Sequence, residues 1–127
     1  MNGIVLDAGA LIALERNDRP LWAALRVAVA RGLEAIVPST ALAQVWRGTP
    51  GQAQLAKALA FCVIAPFDPV TRAVGELCGR ARLADVCDAH VALVASRHGD
   101  TLYTSDLKDM RRLLQACGGR MPVIVRC

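Results

Sequence analysis

Aromatic residues are scarce in this chain: two Trp, two Phe and one Tyr make up 4% of the sequence. With so few rings, the core must be filled by Ala, Val and Leu, a composition that suits helices lying close on a parallel sheet. Lysine is rarer still, since Lys57 and Lys108 stand beside 13 arginines. No apolar run approaches the roughly 20 residues of a membrane-spanning helix, so no membrane role is expected. Asp7 interrupts the N-terminal apolar run and no basic leader precedes it, which argues against a signal peptide. Among the five cysteines, Cys62, Cys78, Cys87, Cys117 and Cys127, no CxxC or Cys/His pair has zinc-finger spacing. Odd in number and mostly set in apolar segments, they read as reduced small hydrophobes, hence a cytoplasmic location. Repeats, low-complexity tracts and long linkers are also missing. A chain of 127 residues is therefore expected to form one domain, 1–127.

Hydrophobic residues amount to 54% and charged residues to 20%, enough for an independent core and too apolar for long disorder. The formal net charge is +4. Arginine's planar fork grips phosphate through two parallel hydrogen bonds, and a basic surface accords with a polyanionic partner such as a nucleic acid.

Two kinds of segment alternate. "GIVLD" at 3–7, "EAIVPS" at 34–39, "FCVIAP" at 61–66, "DTLYTS" at 100–105 and "MPVIVR" at 121–126 are continuous apolar runs, as expected of parallel strands covered on both faces. A small-residue helix follows Asp7. Further helices are expected over 20–32, 39–48, 51–61, 68–83, 85–99 and 106–119. Ser39 or Thr40 is expected to cap the second of these, and Asp68 followed by Pro69 to start the fourth. Strands separated by helices imply right-handed βαβ units, hence an α/β three-layer sandwich with a central parallel sheet.

Placed on that scheme, the acids form a pattern. Asp7 ends the first strand, Asp106 follows the fourth, and Asp85 and Asp88 share a face near the start of one helix. All strands of a parallel sheet open their carboxyl ends on one edge, where such folds bind ligands. An Asp at a strand-to-helix junction is most often a cap worth around 1 kcal/mol, which accounts for Asp7, Asp85 and Asp106 taken singly. Asp88 lies past its cap on an apolar helix and needs another reason. Carboxylates about 5 Å apart at an effective dielectric near 20 repel by roughly 3 kcal/mol per pair, so a cluster needs a cation. Oxygen-only ligands select Mg²⁺ or Mn²⁺, and such an ion serves phosphodiester hydrolysis.

The ordered set "IVLDAGALIAL", "PSTALAQVWRG", "DVCDAHVALVA" and "TLYTSDLKDMRRL" resembles PIN-domain proteins, and more narrowly the VapC toxins of bacterial toxin–antitoxin pairs, over essentially the whole chain. That resemblance implies an Mg²⁺- or Mn²⁺-dependent endoribonuclease, held inactive by a co-encoded antitoxin and commonly a homodimer. It makes Asp7, Asp88 and Asp106 the catalytic metal ligands. Thr104 and Ser105 then supply orienting hydroxyls, and Asp85 serves chiefly as a cap. At Gln44 the family usually carries Glu. Gln keeps an oxygen ligand but loses a charge and any general-base capacity. Three readings of Gln44 stay open: a weakened nuclease, a silent PIN fold that binds RNA or sequesters an antitoxin, or an introduced inactivating substitution. A phosphate-transfer receiver also carries a strand-end Asp, but the paired acids expected before Asp7 and a late strand-end Lys are missing.

The remaining candidates have simpler readings. His90, two residues past Asp88, faces away from it; His98 sits where a cation meets a helix C-terminus. Asp109 is spaced to pair with Arg112 at i+3. Trp22 and Trp46 belong to core or interface, and Arg31, Arg111, Arg112 and Arg120 lie at helix ends or loops.

Overall fold

A computed structural model of the chain describes residues 3–127. All five apolar runs are strands: β1 (Gly3–Leu6), β2 (Glu34–Pro38), β3 (Cys62–Ala65), β4 (Thr101–Thr104) and β5 (Val123–Arg126). They form one parallel sheet in the order β3-β2-β1-β4-β5. The connections hold α1 (Ala8–Glu15), α2 (Arg19–Ala30), α3 (Ser39–Val45), α4 (Ala53–Leu59), α5 (Thr71–Ala81), α6 (Val86–His98) and α7 (Leu107–Cys117). Single tight turns at Pro50–Gln52 and Asp68–Val70 lead into α4 and α5.

Strand order sets the layers. The chain steps from β1 to β2 to β3 in one direction, then crosses back over the sheet to place β4 on the other side of β1. Right-handed crossovers therefore lay α1–α4 on one face and α5–α7 on the other. The packing agrees: α1 lies against α2, α3 and α4, while α6 lies against α5 and α7. β1 is central and buried along its whole length, with Val5 and Leu6 fully covered. Leu11, Leu14, Leu25, Leu77, Leu102 and Leu113 fill the two interlayer spaces. The core is aliphatic, as the shortage of rings requires.

Some local expectations fail for identifiable reasons. The edge strands are not covered on both faces: Val63 of β3 is 49% exposed and Val123 of β5 64%, because seven helices of modest length cannot blanket both margins. Neither Ser39 nor Thr40 caps α3; the cap position is Pro38, and Ser39 Oγ instead accepts a hydrogen bond from Phe67 N (3.1 Å), tying the β3–α5 connection to the end of β2. α3 also stops at Val45, three residues short of the expected end, as Trp46 turns extended. Asp68 makes no side-chain cap, and Thr71 Oγ1 donates to the Asp68 carbonyl instead (2.9 Å).

The loop after α3 hangs on Gln52, which is almost fully buried. Its Oε1 accepts from Arg47 N (2.7 Å) and Gly48 N (3.1 Å), and its Nε2 donates to Glu15 Oε1 and the Val45 carbonyl (both 2.8 Å). One amide thus satisfies the backbone of an irregular segment and fastens it to the end of α1, as buried polar groups require. No pattern in the sequence singles it out.

Candidate functional site

β1 and β4 are neighbours in the sheet, and their connections leave in opposite directions across it. That makes the gap outside their carboxyl ends a topological switch point, the place where open α/β sheets take ligands. Asp7 follows β1 and Asp106 follows β4, so both flank it.

Three of the acids, Asp7 and Asp106 at strand ends and Asp85 between α5 and α6, also cap the helices behind them. Asp7 Oδ1 accepts from Ala10 N (2.9 Å), Asp85 Oδ1 from Asp88 N (3.0 Å) and Asp106 Oδ1 from Asp109 N (3.1 Å). Asp7 is only 4% exposed, and burial pushes its pKa up. The Thr104 hydroxyl and the Ser105 and Gly9 amides oppose that rise, although only the Ala10 amide closes a full hydrogen bond. Thr104, itself fully buried, links the two strand ends, because its Oγ1 also accepts from Asp106 N (3.0 Å).

The strand ends meet through Gly9. A Cβ at that position would lie 2.3 Å from Ser105 Oγ and 2.6 Å from Ser105 Cβ. The absence of a side chain there lets the first turn of α1 press against the β4–α7 connection. This contact was not legible in the sequence; a glycine in the second position of a helix was its one trace.

Asp88 stands in the first turn of α6, after the Asp85 cap. The helix dipole favours an acid there, so its place needs no catalytic explanation by itself. Its surroundings add one. Burial, then the negative charges of Asp85, Asp106 and Asp7, push its pKa from the ordinary 3.8 up to about 7. The charges of Asp85, Asp106 and Asp7 therefore all reach Asp88.

The donor set fits a hard divalent cation, since every candidate offers oxygen and the cluster lacks a positive partner. The side-chain positions stop short of a closed site: among the described residues, no three His, Cys, Asp or Glu side chains are grouped so as to hold one ion. Gln44 is exposed on α3, which starts from the end of β2, and contributes no charge. Ser105 is exposed and shapes the site through its contact with Gly9.

The other candidates fall outside the cluster. His90 is fully buried; its Nδ1 pairs with Thr40 Oγ1 (2.8 Å), its ring meets Phe67 edge-on, and Nε2 has no partner. Burial lowers its pKa. His98 is exposed in the last turn of α6. Trp22 is a core residue whose Nε1 donates to the Leu14 carbonyl (3.1 Å), while Trp46 is 41% exposed. The Asp109–Arg112 pair does not form; among the described residues the one ion pair joins Arg120 to Asp100 (3.2 Å). All five cysteines are free. Among the described residues no helix is long and apolar enough to cross a membrane.

One solved structure shares this architecture over 100% of this chain and 99% of its own, with a TM-score of 0.70 and 18% identity: VapBC2 from Rickettsia felis bound to a DNA fragment from their promoter. The chain has a PIN-like fold. No family model and no curated protein matches its sequence. Asp7, Asp88 and Asp106 belong to three separate connections of this fold, and the charges of Asp7 and Asp106 reach Asp88.

The raised pKa of Asp88 has a measurable consequence. A carboxyl whose folded-state pKa lies above its unfolded value contributes stability that is present in full below about pH 4 and lost as pH rises through about 7. In EDTA, Asp88→Asn is therefore expected to raise the melting temperature at about pH 8 and not at about pH 4. An equal shift at both would mean that Asp88 is not held against its neighbours' charge.

Proposed function

We propose that the chain is a divalent-cation-dependent endoribonuclease and the toxin of a toxin–antitoxin pair. The observation that carries this reading is that Asp7 and Asp106 flank the switch point between the neighbouring strands β1 and β4, near enough that their charges reach Asp88. Such a cluster has no evident structural purpose that three caps would not serve alone. Asp7, Asp88 and Asp106 would hold Mg²⁺ or Mn²⁺, which when bound neutralises a phosphodiester and activates water. Thr104 positions Asp7 and the Asp106 backbone against each other, and the Gly9–Ser105 contact keeps the two strand ends together. The excess of arginine supplies phosphate contacts around the acidic edge.

The architecture shared with the VapBC2 complex supports an antitoxin as partner. The chain offers a surface for one: adjoining apolar clefts of about 170 and 610 Å³ lie beside α2, walled by Trp22, Leu25, Val29 and the 54% exposed Phe61. Arg26 and Lys57 stand at their rim and no acid lines them, which suits an amphipathic segment carrying negative charge. A toxin of this kind would act in the cytoplasm, and dimerisation is part of the same reading.

A second reading, a silent PIN fold that only binds RNA or antitoxin, draws on Gln44 and on the open spacing of the acids. One experiment separates the two. Purified chain with Mn²⁺ and RNA is expected to give cleavage that EDTA abolishes. Gln44→Glu is expected to increase that cleavage by about tenfold or more, since an added carboxylate strengthens cation binding. RNA binding with no cutting by either form would favour the silent reading.

A further inference from the structure

A second concavity opens beside the acidic edge. It encloses about 490 Å³ between the start of α2 and the ends of β4 and β5, and Asp18, Pro20, Leu21, Tyr103, Arg126 and Cys127 line it. That volume falls within the roughly 300–1,000 Å³ of small-ligand sites.

Its floor continues into the acid cluster. The Tyr103 carbonyl accepts from Asp7 N (3.2 Å), and the carbonyl of the next residue, Thr104, accepts from Cys127 N (3.0 Å). Successive side chains of a strand point to opposite faces, so Thr104 serves Asp7 while Tyr103 turns to the concavity. The Cys127 thiol, pushed up to about 12 by burial and by the charges of Asp7 and Asp18, registers the same nearness.

The lining matches a nucleotide more closely than an apolar peptide. Tyr103 is the chain's one tyrosine and is half-buried, which leaves part of its ring open. Arg126 is exposed and takes part in no ion pair among the described residues. Asp18 Oδ2 caps α2 by accepting from Leu21 N (3.0 Å), while its Oδ1 accepts no hydrogen bond among the described residues. The concavity thus combines an aromatic ring, a cation and an acceptor.

We propose that this concavity is a nucleobase subsite: a base of single-stranded RNA next to the scissile phosphate stacks on Tyr103, its phosphate meets Arg126, and its exocyclic amino group donates to Asp18. The proposal rests on the ribonuclease reading and specifies its substrate. It also predicts a preference, because adenine, guanine and cytosine carry such an amino group and uracil does not.

The test uses the full chain without metal. Nuclear magnetic resonance titration with adenosine, guanosine, cytidine and uridine 5′-monophosphates is expected to move the amides of Leu21, Tyr103, Val125 and Arg126 saturably, uridine monophosphate binding weakest. Arg126→Gln, an exposed change that leaves the fold intact, is expected to weaken binding by about tenfold and to raise KM for RNA by a similar factor with kcat nearly constant. Tyr103→Ala is expected to weaken binding of all four nucleotides to a similar extent, and Asp18→Asn, which can still cap α2, to flatten the base preference. The subsite is overturned if no nucleotide moves these amides, if Arg126→Gln binds as the unaltered chain does, or if only an acidic peptide moves them. Absence of RNA cleavage with Mn²⁺ strikes instead at the ribonuclease reading, and nucleotide binding in the concavity would still be measured separately.

Discussion

Replacing Asp7 by Asn is expected to reduce cation-dependent RNA cleavage by more than about a hundredfold while the protein stays folded, since the loss of even an outer partner of a metal site costs about 10–100-fold. The fold should survive because Asn caps a helix about as well as Asp and can still accept from Ala10 N. The charge, which burial disfavours at this position, is what disappears. A second readout follows from the same coupling. With one like-charged neighbour removed, the pKa of Asp88 should fall below about 7, observable by titrating its carboxyl carbon resonance. Cleavage close to the unaltered rate in Asp7→Asn would place the chemistry elsewhere. An unmoved Asp88 would mean that the two acids are too far apart to share a cation.

Gly9→Ala is the second large effect, and its sign is opposite to the usual one. In a helix interior, Ala is favoured over Gly by about 0.8–1.0 kcal/mol. Here the new methyl would meet Ser105 Cβ at 2.6 Å and the Ser105 amide nitrogen at 3.2 Å, contacts that a rotation of the Ser105 hydroxyl cannot relieve. Overpacking of this kind costs about 1–3 kcal/mol, so after the helix gain a net loss of up to about 2 kcal/mol is expected in chemical denaturation. Cleavage should fall further than stability does, because the clash separates the ends of β1 and β4 that carry Asp7 and Asp106. Ser105→Gly in the same chain removes the obstructing atoms and should restore much of both. A Gly9→Ala variant as stable and active as the original would show that the two strand ends do not depend on this contact.

The five apolar runs, the helices between them and the strand-end acids were legible along the chain, because burial on both faces of a parallel strand leaves an unbroken apolar run. Asp85, Asp106 and Asp7 could also be read as caps, and they are. Asp88 was placed correctly near the start of its helix, after the Asp85 cap, but the helix dipole that already accommodates an acid there was left out of the reading. The failures share one cause. Ser39 gave up capping for a bond to Phe67, 28 residues away, and Val63 and Val123 are exposed because their strands lie at the margins. Both outcomes depend on neighbours in space that no local pattern encodes.

The sequence by itself determined the alternation of strand and helix, the aliphatic core and the location of acids at strand ends, since each follows from residue chemistry over a few positions. Only the tertiary structure decided that β4 lies beside β1, that Gly9 and Ser105 touch, and that Tyr103 opens onto a concavity shared with Cys127. Strand order is the outcome of how the whole chain crosses its sheet. It brings Asp7 and Asp106, nearly a hundred residues apart, close enough that the charges of both raise the proton affinity of Asp88.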